Sequence, residues 1–335
     1  MRALTLTSAD GLGAAKLDTI ATPEPGPGQV RVALKAAALN HRELWIAKGM
    51  YPGMTLPATM GCDGAGVVDA VGDGVDAGLI GREVVCYPGL NWGDDPRWPA
   101  AAFALLGMPG PGTVADAIVL AAEDVLTKPA HLDFAQAAAL PLAVLTAWRG
   151  LVTKAELQAG EKVLITGVGG GVALAALQLA VAMGAEVYVT SGSDETIAKA
   201  VELGATAGFN YKDDAWKKAL GKTSGGIDVV FDGAPASGYP AYGRSLNLGA
   251  RVVVYGSTGG MAFNVNAPEL FLKNIRLIGT NVGNRAELEA ALAFVSEKAI
   301  VPTIDRRFPI DQAVEALHHL EDNHAFGKVV IDIAD

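Results

Sequence analysis

Lys162-Val163-Leu164-Ile165-Thr166-Gly167-Val168-Gly169-Gly170-Gly171-Val172-Ala173 is the stretch on which the fold turns. Lys162–Thr166 is a short apolar run rich in β-branched residues and reads as a buried strand. The glycines follow at once. Ala175 to Met183 then holds no breaker and reads as a helix that stops at Gly184, and Glu186 to Thr190 reads as a second strand. Strand, glycine turn, helix and strand within about 30 residues form the unit that holds a dinucleotide. Glycines let the backbone turn tightly and approach a pyrophosphate, and the helix N-terminus offers free N–H groups and the positive end of its dipole. Ala173 stands where a third glycine would allow the closest helix–strand packing, and alanine is permitted there. Two alternatives stay open on this pattern: a doubly wound domain with a tight turn and no nucleotide, and a different nucleotide-like ligand such as S-adenosylmethionine.

Working outward, Ile227–Asp232, Arg251–Tyr255 and Arg276–Thr280 read as further strands with helices between them, which implies an open parallel sheet. Phe134 to Leu140 is helical, Pro141 marks a break, and Leu145 to Thr153 is helical again. Residues 1 to about 120 are short strands with glycine turns, among them Gln29–Lys35, Met60–Val68 and Gly81–Cys86, and suggest a small barrel. Residues 88–113 are a long irregular stretch of the kind that forms a lid, a binding loop or a lobe. After Val301-Pro302 come a strand, a helix from Asp311 to Asn323, and a strand from Lys328 to Ile333. The expected division is a barrel domain over 1–130, completed by 284–335, with a Rossmann domain over 131–283 inserted. The chemistry is expected in a cleft between the two parts.

Bulk properties narrow the function. The chain has 335 residues, enough for two domains with ample cores. Half of it is hydrophobic but only 6% is aromatic, so small aliphatic side chains fill the cores, as parallel sheets require. Mean hydropathy is +0.30, yet no apolar run reaches the ~18 residues of a membrane span. Met1–Thr5 alternates like a strand and shows no signal-peptide pattern. A net charge of −10 without a basic cluster argues against nucleic acid and anionic membranes. Two cysteines, Cys62 and Cys86, fit a reducing cytoplasm rather than a disulfide scaffold.

The order of parts resembles the medium-chain dehydrogenase/reductase family. The resemblance rests on Ala38-Leu39-Asn40-His41-Arg42-Glu43-Leu44, Gly61–Gly66, Gly81–Val85, the Gly167–Ala173 turn, Val282–Arg285 and Gly327–Val330, and covers almost the whole chain. It implies an α/β fold in which a GroES-like small β-barrel catalytic domain joins a Rossmann doubly wound parallel sheet. Zinc-dependent members hold a catalytic zinc with cysteine, histidine and cysteine beside a glutamate. Those positions fall here on Asn40, Cys62, about Leu142 and Asp63. An amide and an aliphatic side chain supply no thiolate, so no catalytic zinc is expected. Residual metal binding by His41, Cys62 and Asp63 is the alternative. The family's structural zinc takes four clustered cysteines, and residues 88–113 hold none. They are expected to form a remnant lobe held by Trp92, Trp98 and prolines.

What remains is similar to the zinc-free quinone oxidoreductase (zeta-crystallin-like) branch. That resemblance implies Asn40 and Tyr51 as catalytic residues lining the nicotinamide pocket, with Thr146 beside the ring. Asn40 would give a hydrogen bond to a carbonyl gaining negative charge, and Tyr51 a hydrogen bond or a proton. Gly167, Gly169, Gly170, Gly171 and Val172 would cradle the pyrophosphate. Gly256, Ser257 and the backbone near Val282 would meet the carboxamide. Ser191 stands where an NAD site carries an acid. With Ser193, Tyr211 and Lys199 nearby, NADP(H) is favoured over NAD(H). The expected function is NADPH-dependent hydride transfer to a small-molecule quinone, enone or enal without a metal. A zinc-type alcohol dehydrogenase with altered ligands and a non-catalytic NADPH-binding protein are the alternatives. A homodimer or homotetramer is expected through the Arg276–Thr280 edge.

Overall fold

The computed structural model describes residues 1–322 and 325–334. The chain divides into two units, Met1–Leu142 with Gly283–Asp335, and Ala143–Val282. The first boundary falls inside the helix Pro141–Trp148 and not after residue 130. The reason is packing: the helix Phe134–Ala138 lies on the strands Gln29–Leu39 and Asp63–Val71 of the first unit. Pro141, expected as a break, opens the next helix, where its missing N–H costs nothing. That helix runs on into a π-helical turn, Arg149–Lys154.

In the first unit one sheet runs Val125–Thr127, Glu83–Cys86, Asp63–Val71, Gln29–Leu39, Lys328–Asp332, Ile304–Pro309, and Ala117–Ala121 also pairs with Gln29–Leu39. A second sheet joins Ala15–Thr19, Arg2–Leu6 and Ala58–Thr59. Backbone bonds from Leu4 to Val114, Val114 to Met60 and Asp116 to Arg2 stitch the two together. Val32, Leu34, Ile46, Leu106, Leu317 and Val329 fill the space between them. Gly66 belongs to the contact between the two longest strands, because a Cβ there would overlap the Ala33 carbonyl oxygen. The C-terminal helix is Ala313–Glu321; Asn323, where the sequence places its end, lies outside the described residues.

Two strands of the first unit meet a third at one end, and this positions the site. Gln29–Leu39 lies between Asp63–Val71 and Lys328–Asp332 and is antiparallel to both. Its last residues therefore face the first residues of its neighbours, with Ala38 opposite Asp63 and Leu39 opposite Val329.

The second unit is a six-stranded parallel sheet. Its order is Ala207–Asn210, Glu186–Ser191, Lys162–Ile165, Ile227–Asp232, Leu246–Val254, Arg276–Gly279. The first strand in sequence, Lys162–Ile165, is central and the chain reverses direction beside it, which is where doubly wound sheets bind nucleotides. The helix after the glycine turn starts at Gly171 and ends at Ala182, earlier at both ends than the sequence suggests.

Residues 88–113 form a lobe with one short hairpin, Gly89–Leu90 against Ala104–Leu105. Trp92 is buried there, edge-on to Phe103 at 5.2 Å. Trp98 is 58% exposed, with Arg97 beside its ring. Among the described residues no helix is long and apolar enough to cross a membrane.

Candidate active site

The first unit gathers Asn40, Cys62, Asp63 and Leu142, the four positions where a zinc site falls in related chains, and adds Lys328. Asp63 is wholly buried. Its Oδ1 accepts from the Leu142 backbone N–H at 2.8 Å. Its Oδ2 accepts from Asn40 Nδ2 at 2.8 Å and from Lys328 Nζ at 2.8 Å. Lys328 Nζ also donates to Asn40 Oδ1 at 2.5 Å, and Asn40 Nδ2 donates to Cys62 Sγ at 3.4 Å. The carboxylate is thus paired and hydrogen-bonded, as a buried charge must be.

A second ion pair backs the first. Asn40 opens the helix His41–Ala47, and the Glu43 carboxylate accepts from the Asn40 backbone N–H at 2.7 Å. Arg42 Nη1 donates to Glu43 Oε1 at 3.1 Å and to the Leu106 carbonyl at 2.8 Å. Its guanidinium lies over the Tyr51 ring, 4.8 Å from the centroid, while Nε and Nη2 are buried without a hydrogen bond. Burial opposes the Arg42 charge, but the groups around it, the Glu43 carboxylate among them, outweigh it and raise its pKa. Burial pushes the Glu43 carboxyl up against the pull of Arg42. It pushes the Cys62 thiol well above its usual range, with Asp63 adding to the effect.

This donor set does not fit zinc. Tetrahedral zinc takes thiolate, imidazole or carboxylate donors. Here Cys62 is the one sulfur in the cluster, the carboxylate already accepts from three donors, and Leu142 offers only a backbone N–H that is already used. His41 is exposed at the first helical position. Among the described residues no three histidine, cysteine, aspartate or glutamate side chains are grouped to hold a metal. Two cations, Arg42 and Lys328, already balance two carboxylates, Glu43 and Asp63.

Both Asn40 amide hydrogens are used within the protein. The amide expected to meet a substrate carbonyl thus also holds Asp63 and Cys62. Tyr51, half-buried, caps Arg42. Lys328 and Arg42 are the residues that sequence reading missed. The Gly327–Val330 motif was visible, but nothing local shows that its lysine meets Asp63.

In the second unit the glycine turn has the geometry a dinucleotide needs. Gly167 and Gly169 have φ of 62° and 141°, which side chains rarely adopt, and Gly170 caps the helix Gly171–Ala182. A Cβ built on Gly167 or Gly170 meets no atom within 4 Å, so open space lies beside the turn where a pyrophosphate would rest. The turn is tied down by bonds from Gly167 N to Thr190 Oγ1 at 3.1 Å and from Val168 N to the Thr190 carbonyl at 2.8 Å. Val172 is in the first turn of the helix. Behind it, buried Asp232 accepts from Thr166 Oγ1 and the Tyr242 hydroxyl, each at 2.6 Å, which fixes the two central strand ends. Thr146 is buried on the helix Pro141–Trp148.

Ser191 ends its strand and accepts from Ser193 N at 3.3 Å, and Ser193 caps the helix Asp194–Glu202. A Cβ on Gly192 would come within 2.7 Å of the Tyr211 hydroxyl and 3.0 Å of Lys212 Cε, so both side chains lean on this strand end. Lys199, expected as the nearby base, pairs with Glu195 at 2.7 Å one helical turn away, while Lys212 lies beside Gly192. Gly256 and Ser257 follow the strand Leu246–Val254, where Thr258 N bonds the Gly233 carbonyl at 3.0 Å. Val282 is the last residue of this unit.

Comparison with known proteins agrees with both halves. Residues 26–130 match the alcohol dehydrogenase GroES-like domain and residues 171–297 the zinc-binding dehydrogenase domain. The chain is 37% identical over 338 residues to a zinc-type alcohol dehydrogenase-like protein of Leptosphaeria maculans, covering 95% of this chain and 94% of that one. It is 32% identical over 341 residues to the quinone oxidoreductase of Mus musculus, covering 98% and 96%. A crystal structure of an NAD-dependent alcohol dehydrogenase superposes with a TM-score of 0.94 at 35% identity, over 100% of both chains.

Proposed function

The chain belongs to the medium-chain dehydrogenase/reductase family, and from that premise we propose that it is an NADPH-dependent oxidoreductase that reduces a quinone, an enone or an enal without a catalytic metal. The observation that carries this reading is the Asp63 carboxylate, which already accepts from Asn40, Lys328 and Leu142 at the place where a metal would need free donors.

A reduced nicotinamide, when bound, supplies the hydride. The protein's part is binding and orientation. The N–H groups at the start of Gly171–Ala182 hold the pyrophosphate. Ser191, Ser193, Tyr211 and Lys212 receive the 2′-phosphate, which an acid at position 191 would repel. Backbone at Gly256, Ser257 and Val282 meets the carboxamide, and Thr146 packs beside the ring. In the first unit Asn40, fixed by Lys328 and Asp63, gives the substrate pocket a rigid polar wall. Tyr51 carries the hydroxyl that donates a hydrogen bond or the proton that accompanies the hydride. Rate enhancement then comes from positioning and fixed dipoles.

Turnover of NADPH with a model quinone or enone should survive exhaustive dialysis against a chelator. Loss of turnover that zinc restores would overturn the metal-free reading. The relative described as zinc-type alcohol dehydrogenase-like favours the second reading, a dehydrogenase with rearranged ligands, which metal analysis of the purified protein separates from the first. Tight NADPH binding with no oxidation across quinones, enals and ketones would instead support a non-catalytic role.

The same reading places the protein in a reducing cytoplasm, where its two buried free cysteines stay reduced. It also makes it a homodimer or homotetramer through the second unit. There the edge strand Arg276–Gly279 has an exposed Leu277, and the helix before it exposes Phe271 and Leu272 at 64% and 67%. Sedimentation of the full chain at micromolar concentration checks this, and a monomer would refute it.

A further inference from the structure

We infer that Lys328 is a built-in cation that closes the first unit's site to metal: its ammonium holds the place beside Asp63 and Asn40 that a divalent ion would have to take. The argument starts from strand register. Lys328 is the first residue of its strand and Asp63 the first of its own, and both flank the end of Gln29–Leu39, directly followed by Asn40. Three backbone constraints, two of them 23 residues apart and the third 265 residues from Asp63, therefore deliver an amide, a carboxylate and an ammonium to one point.

The distances complete it. Lys328 Nζ sits 2.5 Å from Asn40 Oδ1 and 2.8 Å from Asp63 Oδ2, and Asn40 Nδ2 closes the triangle to Asp63 Oδ2 at 2.8 Å. The lysine side chain is 5% exposed and the aspartate fully buried, so no solvent screens the pair. Charge decides the rest. With Arg42 on Glu43 and Lys328 on Asp63, the buried cluster is already neutral. A divalent ion entering it would face an ammonium at hydrogen-bond distance from its oxygen donor, a like-charge contact in a medium of low dielectric. The side chains at positions 40 and 142 already leave too few donors for zinc, and the lysine adds a charge that opposes any divalent ion at the donors that remain. Lys328 is in this sense a positioning residue, acting through Asn40 and Asp63. The inference deepens the metal-free reading and rests on it.

Cobalt(II) chloride is the probe, read by metal content and by the near-ultraviolet sulfur-to-cobalt charge-transfer band. Asn40→Cys supplies a second sulfur beside Cys62 and Asp63 but leaves the ammonium in place. Asn40→Cys combined with Lys328→Met removes it. The double variant should take up one cobalt ion per chain with the sulfur band, and Asn40→Cys alone should bind at least about tenfold more weakly. Equal uptake by the two variants, or none by either, overturns the inference. Stoichiometric uptake with a sulfur band by the unmodified chain is a different outcome, and it overturns the metal-free reading itself.

If the double variant does not fold, a thermal double-mutant cycle on Asp63→Asn and Lys328→Met decides the matter without metal. The neutral pair should lose less Tm than the sum of the two single variants. Additive losses would mean that Lys328 is not the counter-charge of Asp63, and the inference falls.

Discussion

The side-chain amide of Asn40 donates to the Asp63 carboxylate at 2.8 Å, across 23 positions of sequence, while its oxygen accepts from Lys328. The amide is thereby fixed in one of its two orientations, since only the nitrogen has hydrogens to give a carboxylate. Asn40→Asp puts an acceptor where a donor is required and adds a like charge against Asp63. It should cost about 2–4 kcal/mol in urea unfolding, whereas Asn40→Ala should cost about 1–2 kcal/mol. If the aspartate variant is the milder of the two, the amide orientation is wrong.

The coenzyme reading can be checked at Lys212, whose side chain leans on Gly192 at the end of Glu186–Ser191. Lys212→Glu should raise KM for NADPH about tenfold by trading an attraction for a repulsion at the 2′-phosphate, and leave KM for NADH unchanged. Lys199→Ala should do little to either, because Lys199 is occupied by Glu195. An equal rise for both coenzymes with Lys212→Glu would show that the lysine does not read the 2′-phosphate.

These two sites show what a sequence makes visible. The glycine turn and the strand Ile227–Asp232 are legible because the signal is local: β-branched runs for strands buried on both faces, and glycines where φ is positive. The strand Ala207–Asn210 is not singled out by its residues, since it lies at the sheet edge and a glycine and an asparagine dilute its pattern. Pro141 misleads for a physical reason: a proline that interrupts one helix is equally suited to begin the next. Lys328 and Asp63 are separated by 265 positions, and only the register of three strands brings them together. Lys199 is set apart from Lys212 by its place on the helix Asp194–Glu202, one turn from Glu195.

Gly66 gives a test of the first unit's strand packing that is independent of chemistry. A Cβ at this position would overlap the Ala33 carbonyl and crowd Leu34 Cα in the neighbouring strand, both of them backbone atoms that cannot rotate away. Gly66→Ala should therefore cost about 3 kcal/mol or more, seen as a lower midpoint in urea with a similar m-value. Gly13→Ala, where no atom lies within 4 Å, is the matched control and should change little. A tolerated Gly66→Ala would mean that the two strands are farther apart than described.

Asp124 provides a dependence on pH whose sign can be worked out. It sits in the short turn Ala122–Asp124, where burial, then the neighbouring Glu123, raises its carboxyl to about 6, with Arg285 pulling the other way. An unfolded chain releases this proton near pH ~4. Between about 4 and about 6 the folded protein holds a proton that the unfolded chain has lost, so stability falls as pH rises through that window. The contribution is fully present below about 4 and gone above about 6. Asp124→Asn cannot lose the proton. It should flatten this part of the stability profile and gain on the order of 1 kcal/mol at pH 8, a partly exposed group giving less than its full shift. Urea midpoints for the two proteins at acidic, intermediate and alkaline pH decide it. A gain for Asp124→Asn that is largest at acid pH and absent at pH 8 would reverse the sign and show that this carboxylate is stabilised, not strained, where it lies.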